Sequence, residues 1–246
     1  MLEQTERISH EVAHGKKIQE DADKVWGWES KAGKLRATRR ANYFINLGNM
    51  DENSVALDLG CGTGLFTDKV YNATKAKITG IDISEELLSQ ARERQPNAEF
   101  KIEDAMNMTY PDNHFDVVFG SSILHHLEMD KATKEIFRVL KPGGKMIFAE
   151  PNMINPQILV QKNVPFIKKW LGDSPDETAI VRWSFSNMMR DTGFNEVKVF
   201  PYDFLHPYTP SPFIPIVKSL GALVEKIPVL KEIAGSVVIY GEKPSA

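Results

Sequence analysis

The chain has 246 residues, with 42% apolar and 26% charged side chains and a formal net charge of −3. That length suits one α/β domain with additional segments, and the balance supports a real core and excludes a disordered chain. A slightly acidic chain lacks the electrostatic footprint for a phosphate backbone, so no nucleic-acid partner is expected, although Lys34, Arg36, Arg39 and Arg40 form a local basic cluster.

The chain starts polar and acidic (Met1 to Glu6), unlike a secretory signal, and contains no long apolar run. No transmembrane segment and a cytoplasmic location are therefore expected. The first fifty residues read as an amphipathic helical cap. Ser30 is placed to cap a helix over about 32–47, with Leu35, Ala41, Phe44 and Ile45 at helical spacing and Gly48 as its stop.

From Ser54 the pattern changes to short apolar strands alternating with helices. Val55–Leu59 and Lys77–Asp82 read as strands, and Ser84 caps a helix whose first turn carries Glu85 and Glu86. Glu99–Ile102, Phe115–Phe119 and Lys145–Glu150 follow as strands, with a helix over about 131–139 that stops at Lys141-Pro142-Gly143-Gly144. A helix ending at Gly193 and strands near 196–202 and 236–241 complete the pattern. The expected fold is α/β, a Rossmann-like seven-stranded, mostly parallel sheet with helices on both faces. An N-terminal helical cap and an insertion between the last two strands are added to it. The division expected is a cap over residues 1–50 and a main domain over 51–246, with 151–182 and 204–235 as substrate-side additions.

Cys61 is the single cysteine, so no intrachain disulfide can form, and no set of Cys and His at ligand spacing supports a metal site. It lies in Asp58-Leu59-Gly60-Cys61-Gly62-Thr63-Gly64, a strand that ends in a glycine turn and opens a helix. Such a turn lets the backbone approach a nucleotide-like ligand, yet the glycines alone fit an ordinary turn equally well. Asp82 ends the second strand, where a carboxylate can accept both hydroxyls of a ribose, and Asp104 follows at the end of the third.

At these residues, from about Val55 to Pro151, the sequence closely resembles the class I S-adenosylmethionine (SAM)-dependent methyltransferases. Its cofactor half is similar to the small-molecule branch that includes ubiquinone/menaquinone-type and natural-product enzymes. The resemblance implies SAM as cofactor, with S-adenosylhomocysteine as product. It also implies that Gly60, Cys61, Gly62 and Gly64 meet the methionine end, with Asp58 near its ammonium. Asp82 would hold the ribose, Ile83 would lie against the adenine, Asp104 and Ala105 would meet the adenine edge, and Ser121 would sit near the methionine. Asp116 is expected to be structural, and Cys61 is not expected to act as a nucleophile.

Methyl transfer from a sulfonium is a direct displacement, so a base is needed only where the acceptor must lose a proton. His125, His126 and Glu150, at the ends of the fourth and fifth strands, are the candidates; a structural or orienting role is the competing reading. Gly120-Ser121-Ser122-Ile123 stands where the nucleic-acid amino-methylating branch carries [DN]-P-P-[YF], which disfavours that branch. The quinone enzymes' Tyr-Asp-x-Met-Asn segment is also missing, so the acceptor stays general: oxygen, nitrogen or carbon of a small, apolar molecule. A protein methyltransferase and a non-catalytic SAM-binding scaffold are the alternatives.

Trp26-Gly27-Trp28 with Arg36, Arg39 and Arg40 reads either as a lid over the acceptor, with an arginine on the SAM carboxylate, or as a staple holding helix to sheet. In the insertion, apolar residues 216, 220, 223, 224 and 227 form one helical face that continues towards Ile233. Packing on the protein's own core is the first expectation for that face. A homodimer contact, a greasy acceptor pocket and a membrane-surface helix are the others. Lipid contact is expected to be weak, because Glu225 and Glu232 nearly cancel Lys218, Lys226 and Lys231.

Overall fold

The computed structural model describes residues 21–171 and 178–245, with the side chains of 169–171 left aside; the part of the N-terminal expectation on residues 1–20 lies outside it. Seven strands form one sheet: β1 (Val55–Leu59), β2 (Lys77–Asp82), β3 (Glu99–Ile102), β4 (Phe115–Ser121), β5 (Leu140–Pro151), β6 (Asn195–Tyr202) and β7 (Ser236–Glu242). Their order is β3-β2-β1-β4-β5-β7-β6, with β7 antiparallel to both its neighbours and the other pairings parallel. Strand order reverses between β1 and β4, which opens a crevice at their carboxyl ends.

Side-chain alternation divides the core into two layers. Ala56, Val117, Phe119, Ile147 and Ala149 point to one face, where they meet Phe44, Ala37 and Phe66. Leu57, Val118, Met146 and Phe148 point to the other, against Ile136 and Met189. Helices α1 (Ala22–Val25), α2 (Lys31–Gly48) and α3 (Leu65–Thr74) precede α4 (Glu85–Arg94) and α5 (Met129–Val139). They are followed by α6 (Pro156–Asn163), α7 (Pro165–Leu171), α8 (Arg182–Thr192) and α9 (Ile214–Val224).

Local chemistry sets most of these boundaries. Ser30 Oγ accepts from the Gly33 amide at 2.8 Å and caps α2, and Ser84 Oγ does the same for α4 through Leu87. Gly193, at φ 114°, ends α8. Three expectations are corrected. Gly48 belongs to α2, and the left-handed residue that stops the helix is Asn49, at φ 50°. Lys141–Gly144 extends β5, because the Gly143 amide donates to the Lys243 carbonyl and the Lys243 amide returns to Gly144. The helix of the insertion ends at Val224; Pro228 forbids its continuation, and only a short 3₁₀ turn, Leu230–Ile233, follows.

The insertion's apolar face also departs from expectation. Ile214 and Val217 pack against Ala32 and Leu205, and a Cβ on Gly221 would touch Phe204. Ile216, Leu220 and Leu223, by contrast, are more than half exposed and Ile227 is exposed as well, so that face does not cover the core. No helix among the described residues is long and apolar enough to cross a membrane.

Candidate active site

The β1–α3 turn is built by backbone. The amides of Gly60 and Cys61 both donate to the Ile81 carbonyl, at 2.8 and 2.9 Å. Gly60 sits at φ 69°, and a Cβ there would lie 2.3 Å from Ile123. Gly64, at φ 75°, leaves no more room, since its Cβ would lie 2.9 Å from Ala91. Cys61 is buried and packs with Leu88, Ala91 and Phe100. Burial first, and then the charges of Asp58 and Asp82, push its thiol well above the usual range, which leaves it inert.

Two carboxylates brace this turn. Asp82 accepts from the Gly62 amide at 2.9 Å with one oxygen and from the Ser84 amide at 3.0 Å with the other. Asp58 is 1% exposed, and its Oδ2 accepts from Thr67 Oγ1 at 2.6 Å. No cation pairs with it among the described residues. Burial, aided by the charge of Asp82, pushes the Asp58 carboxyl up to about 7 against the opposing Thr67 hydrogen bond. Asp104 lies two residues past the end of β3, not on it, and its Oδ1 accepts from the Met106 amide at 2.9 Å. Ala105 is buried beside it, and Ile83 is half-buried after Asp82.

The N-terminal segment lies on the turn. Thr63 Oγ1 donates to Asp23 at 2.7 Å, and Arg94 pairs with the other Asp23 oxygen at 2.6 Å while reaching the Thr63 carbonyl at 3.0 Å. A Cβ on Gly62 would lie 3.1 Å from the Trp26 ring. Trp28 stands edge-on to Phe66, its ring centroid 5.5 Å away. This clamp was not legible in the sequence, since Asp23 and Arg94 carry no local signal.

The three arginines of α2 differ. Arg36 pairs with Asp203 and Arg39 with Glu225. Arg40 is 3% exposed and has no carboxylate partner among the described residues. Its Nη1 donates to Ser121 Oγ at 2.7 Å and Ser122 Oγ at 2.9 Å, and its Nη2 to Ser236 Oγ at 3.0 Å. Its Nε has no hydrogen-bond partner among the described residues. Ser121 therefore faces the middle of α2, and Ser122 is held in the left-handed region at φ 58°.

His125, His126 and Glu150 come together. Glu150 is wholly buried; its Oε1 accepts from the amides of Ile123 (2.9 Å) and Leu124 (3.0 Å), and its Oε2 lies 2.7 Å from His125 Nδ1. Burial pushes the carboxyl up, but His125 and the two amides outweigh it and hold it below its ordinary value. Burial, with the charge of His126 added, holds the His125 imidazole below its usual 6.5 against the pull of Glu150. The pair is thus an ionised carboxylate and a neutral imidazole. On that assignment the proton sits on Nδ1 and points at Glu150, and Nε2 is left as an acceptor. The His126 ring centroid lies 4.2 Å from that of His125. Asp116 is structural, as expected: it accepts from the Val55 amide at 2.9 Å and pairs with Lys141 at 2.8 Å, at the opposite end of the sheet.

A reversing parallel sheet, a glycine turn and carboxylates after successive strands define a nucleotide-cofactor α/β protein. Comparison with known proteins narrows the class. Residues 57–148 match the family described as "Methyltransferase domain". The chain is 31% identical over 166 residues to the demethylmenaquinone methyltransferase of Chlorobaculum parvum, covering 60% of this chain and 68% of that protein. It is 30% identical over 144 residues to the 27-O-demethylrifamycin SV methyltransferase of Amycolatopsis mediterranei, covering 52% of this chain but only 53% of that one. Among solved structures, the N-methyltransferase NodS of Bradyrhizobium japonicum, in complex with S-adenosylhomocysteine, superposes with a TM-score of 0.64 at 15% identity. That superposition covers 95% of this chain and 98% of the other, and shows the shared fold. The chain belongs to the class I SAM-dependent methyltransferase superfamily.

Proposed function

We propose that this protein transfers the methyl group of SAM to a small, apolar acceptor by direct displacement. The observation that carries this reading is a pair of opposite charges buried apart. Asp58 has no described cation and Arg40 no described carboxylate, one beside the glycine turn and the other behind Ser121. The amino-acid end of SAM carries an ammonium and a carboxylate, the complement of both. Asp82 and Asp104 are the carboxylates for ribose and adenine, and Ile83 and Ala105 offer apolar surface to the ring.

SAM, when bound, supplies an activated methyl on a sulfonium. The chain's own groups align the acceptor, exclude water and take up a proton. His125 Nε2 is the acceptor for a hydroxyl or an acidic carbon, and Glu150 fixes the tautomer and stabilises the imidazolium. The His126 ring lies tilted against it. The menaquinone and rifamycin relatives, by their names, act on small molecules, which supports an acceptor of that class.

Calorimetry with SAM and a radiolabel screen against solvent extracts test this. We expect SAM binding and label in a small-molecule fraction. Binding without label in any fraction would turn the reading to a scaffold, and label in protein would turn it to a protein methyltransferase. For His125→Ala, a rate loss of about a hundredfold is expected with SAM affinity unchanged.

A further inference from the structure

We infer that Arg40 positions the Glu150–His125 pair through the left-handed backbone of Ser122, given His125 as the base proposed above. Glu150 Oε1 is held by two successive amides, those of Ile123 and Leu124. Successive amides converge on one oxygen where the backbone changes hand just before them, the geometry by which backbone nests hold anions. Ser122 makes that change. It stands at φ 58° just past β4, and Ile123 follows at φ −123° and ψ −38°. The 3₁₀ turn Leu124–His126, which carries His125, starts directly after them.

A serine does not favour this conformation, because its Cβ crowds the backbone there. Two bonds hold it in place. The Ser122 amide donates to the Ala149 carbonyl at 2.9 Å, next to Glu150 on β5. The Ser122 hydroxyl accepts from Arg40 Nη1 at 2.9 Å. With the amide fixed, rotation about N–Cα swings the side chain and the following residues together, so the arginine that holds the hydroxyl also fixes φ. Arg40 is itself anchored and 3% exposed. Its Nη1 also donates to Ser121 Oγ at 2.7 Å, and its Nη2 reaches Ser236 Oγ on β7 at 3.0 Å. Its Nε takes no part in this hold and remains for the SAM carboxylate.

Charge alone does not link Arg40 to His125. Beyond burial, the groups that act on His125 are His126, Glu150 and Lys162 of α6. An effect of Arg40 on the base therefore passes through the turn. Released, Ser122 would relax to a negative φ, and the Ile123 and Leu124 amides would leave Glu150. The carboxylate charge would then fall on His125 alone and hold a proton there more tightly. An imidazole already protonated cannot take a proton from the acceptor.

Nitrogen NMR of the full chain, isotope-labelled on histidine, follows the His125 titration, with His125→Ala identifying its signals. It reads neither methyl transfer nor SAM binding, so failure here is distinct from failure of the base assignment. Ser122→Ala removes the hydroxyl but keeps the Cβ, and should move the His125 titration up by about half a pH unit or more. Ser122→Gly also removes the hydroxyl but enters the left-handed region freely, so it should titrate as the wild type does. Arg40→Lys keeps the charge and loses the planar fork. It should match Ser122→Ala, and adding Ser122→Gly to it should restore the wild-type titration. A side chain that only packs would lower the thermal midpoint when replaced and leave the titration where it is. The inference is overturned if Ser122→Ala does not shift, or if Ser122→Gly shifts as far or fails to reverse the effect of Arg40→Lys. Should Arg40→Lys not fold, the two Ser122 variants decide alone.

Discussion

Among the described residues Asp58 and Arg40 are each buried with no opposite charge paired to them, and for Asp58 this has a measurable consequence. Its carboxyl is pushed up to about 7 from 3.8, so between those values the folded chain holds more protons than the unfolded one. This group's contribution to stability accordingly falls as pH rises through that window. A cation beside the carboxylate favours its ionised form, so SAM binding should expel a proton below about pH 7. Affinity should then rise by up to about tenfold per pH unit and level off above it. Calorimetry in buffers of different ionisation enthalpy reads the proton count directly; a count of zero on the acid side would remove Asp58 from the ammonium. Glu150→Gln tests the neighbouring pair. The amide keeps the acceptor for Ile123 and Leu124, but its NH₂ faces His125 Nδ1 and drives the imidazole proton to Nε2. The rate should fall about a hundredfold with SAM affinity unchanged, and an unaltered rate would leave His125 a purely structural residue.

The clamp over the glycine turn joins α1 and α4 to the turn that precedes α3, through Asp23, Arg94 and Thr63, with Trp26 against Gly62. Asp23→Ala leaves Thr63 and Arg94 without their shared carboxylate and frees the segment that covers the turn. SAM should then dissociate faster, by about tenfold in stopped-flow release, with little change in association; equal release rates would show that the segment does not retain the cofactor. Sequence reading and structure agree where the signal is local. β1 and β2 were legible as apolar runs that meet a glycine or aspartate, and Ser30 and Ser84 as caps. The clamp was not legible, because Asp23 and Arg94 lie far apart in sequence and neither belongs to a pattern. Lys141–Gly144 has turn chemistry, and only the distant Lys243 makes it strand. In the insertion, helical spacing revealed an apolar face but not its direction, which depends on which side Ala32 and Leu205 cover.

Residues 1–50 read in sequence as a cap, yet α2 lays Ala37, Ala41 and Phe44 on the sheet face made by Ala56, Val117, Phe119 and Ile147. Phe44 is fully buried and packs on both Phe66 and Phe119, with ring centroids 5.7 and 5.3 Å away. We propose that α2 belongs to the same cooperative unit as the sheet. Truncating one buried phenylalanine to alanine costs about 3–5 kcal/mol, a large part of the roughly 5–15 kcal/mol by which a domain is stable. Phe44→Ala in the full chain should lower the unfolding free energy by that amount, read from denaturant titration, and keep a single transition. A chain that begins at Asp51 loses Ala37, Ala41 and Phe44 together and uncovers the part of this sheet face on which α2 lies. It should therefore show no cooperative unfolding and should bind a hydrophobic dye. A fragment 51–246 that unfolds in one sharp transition near the full-length midpoint would instead make residues 1–50 a detachable cap, as their sequence alone suggests.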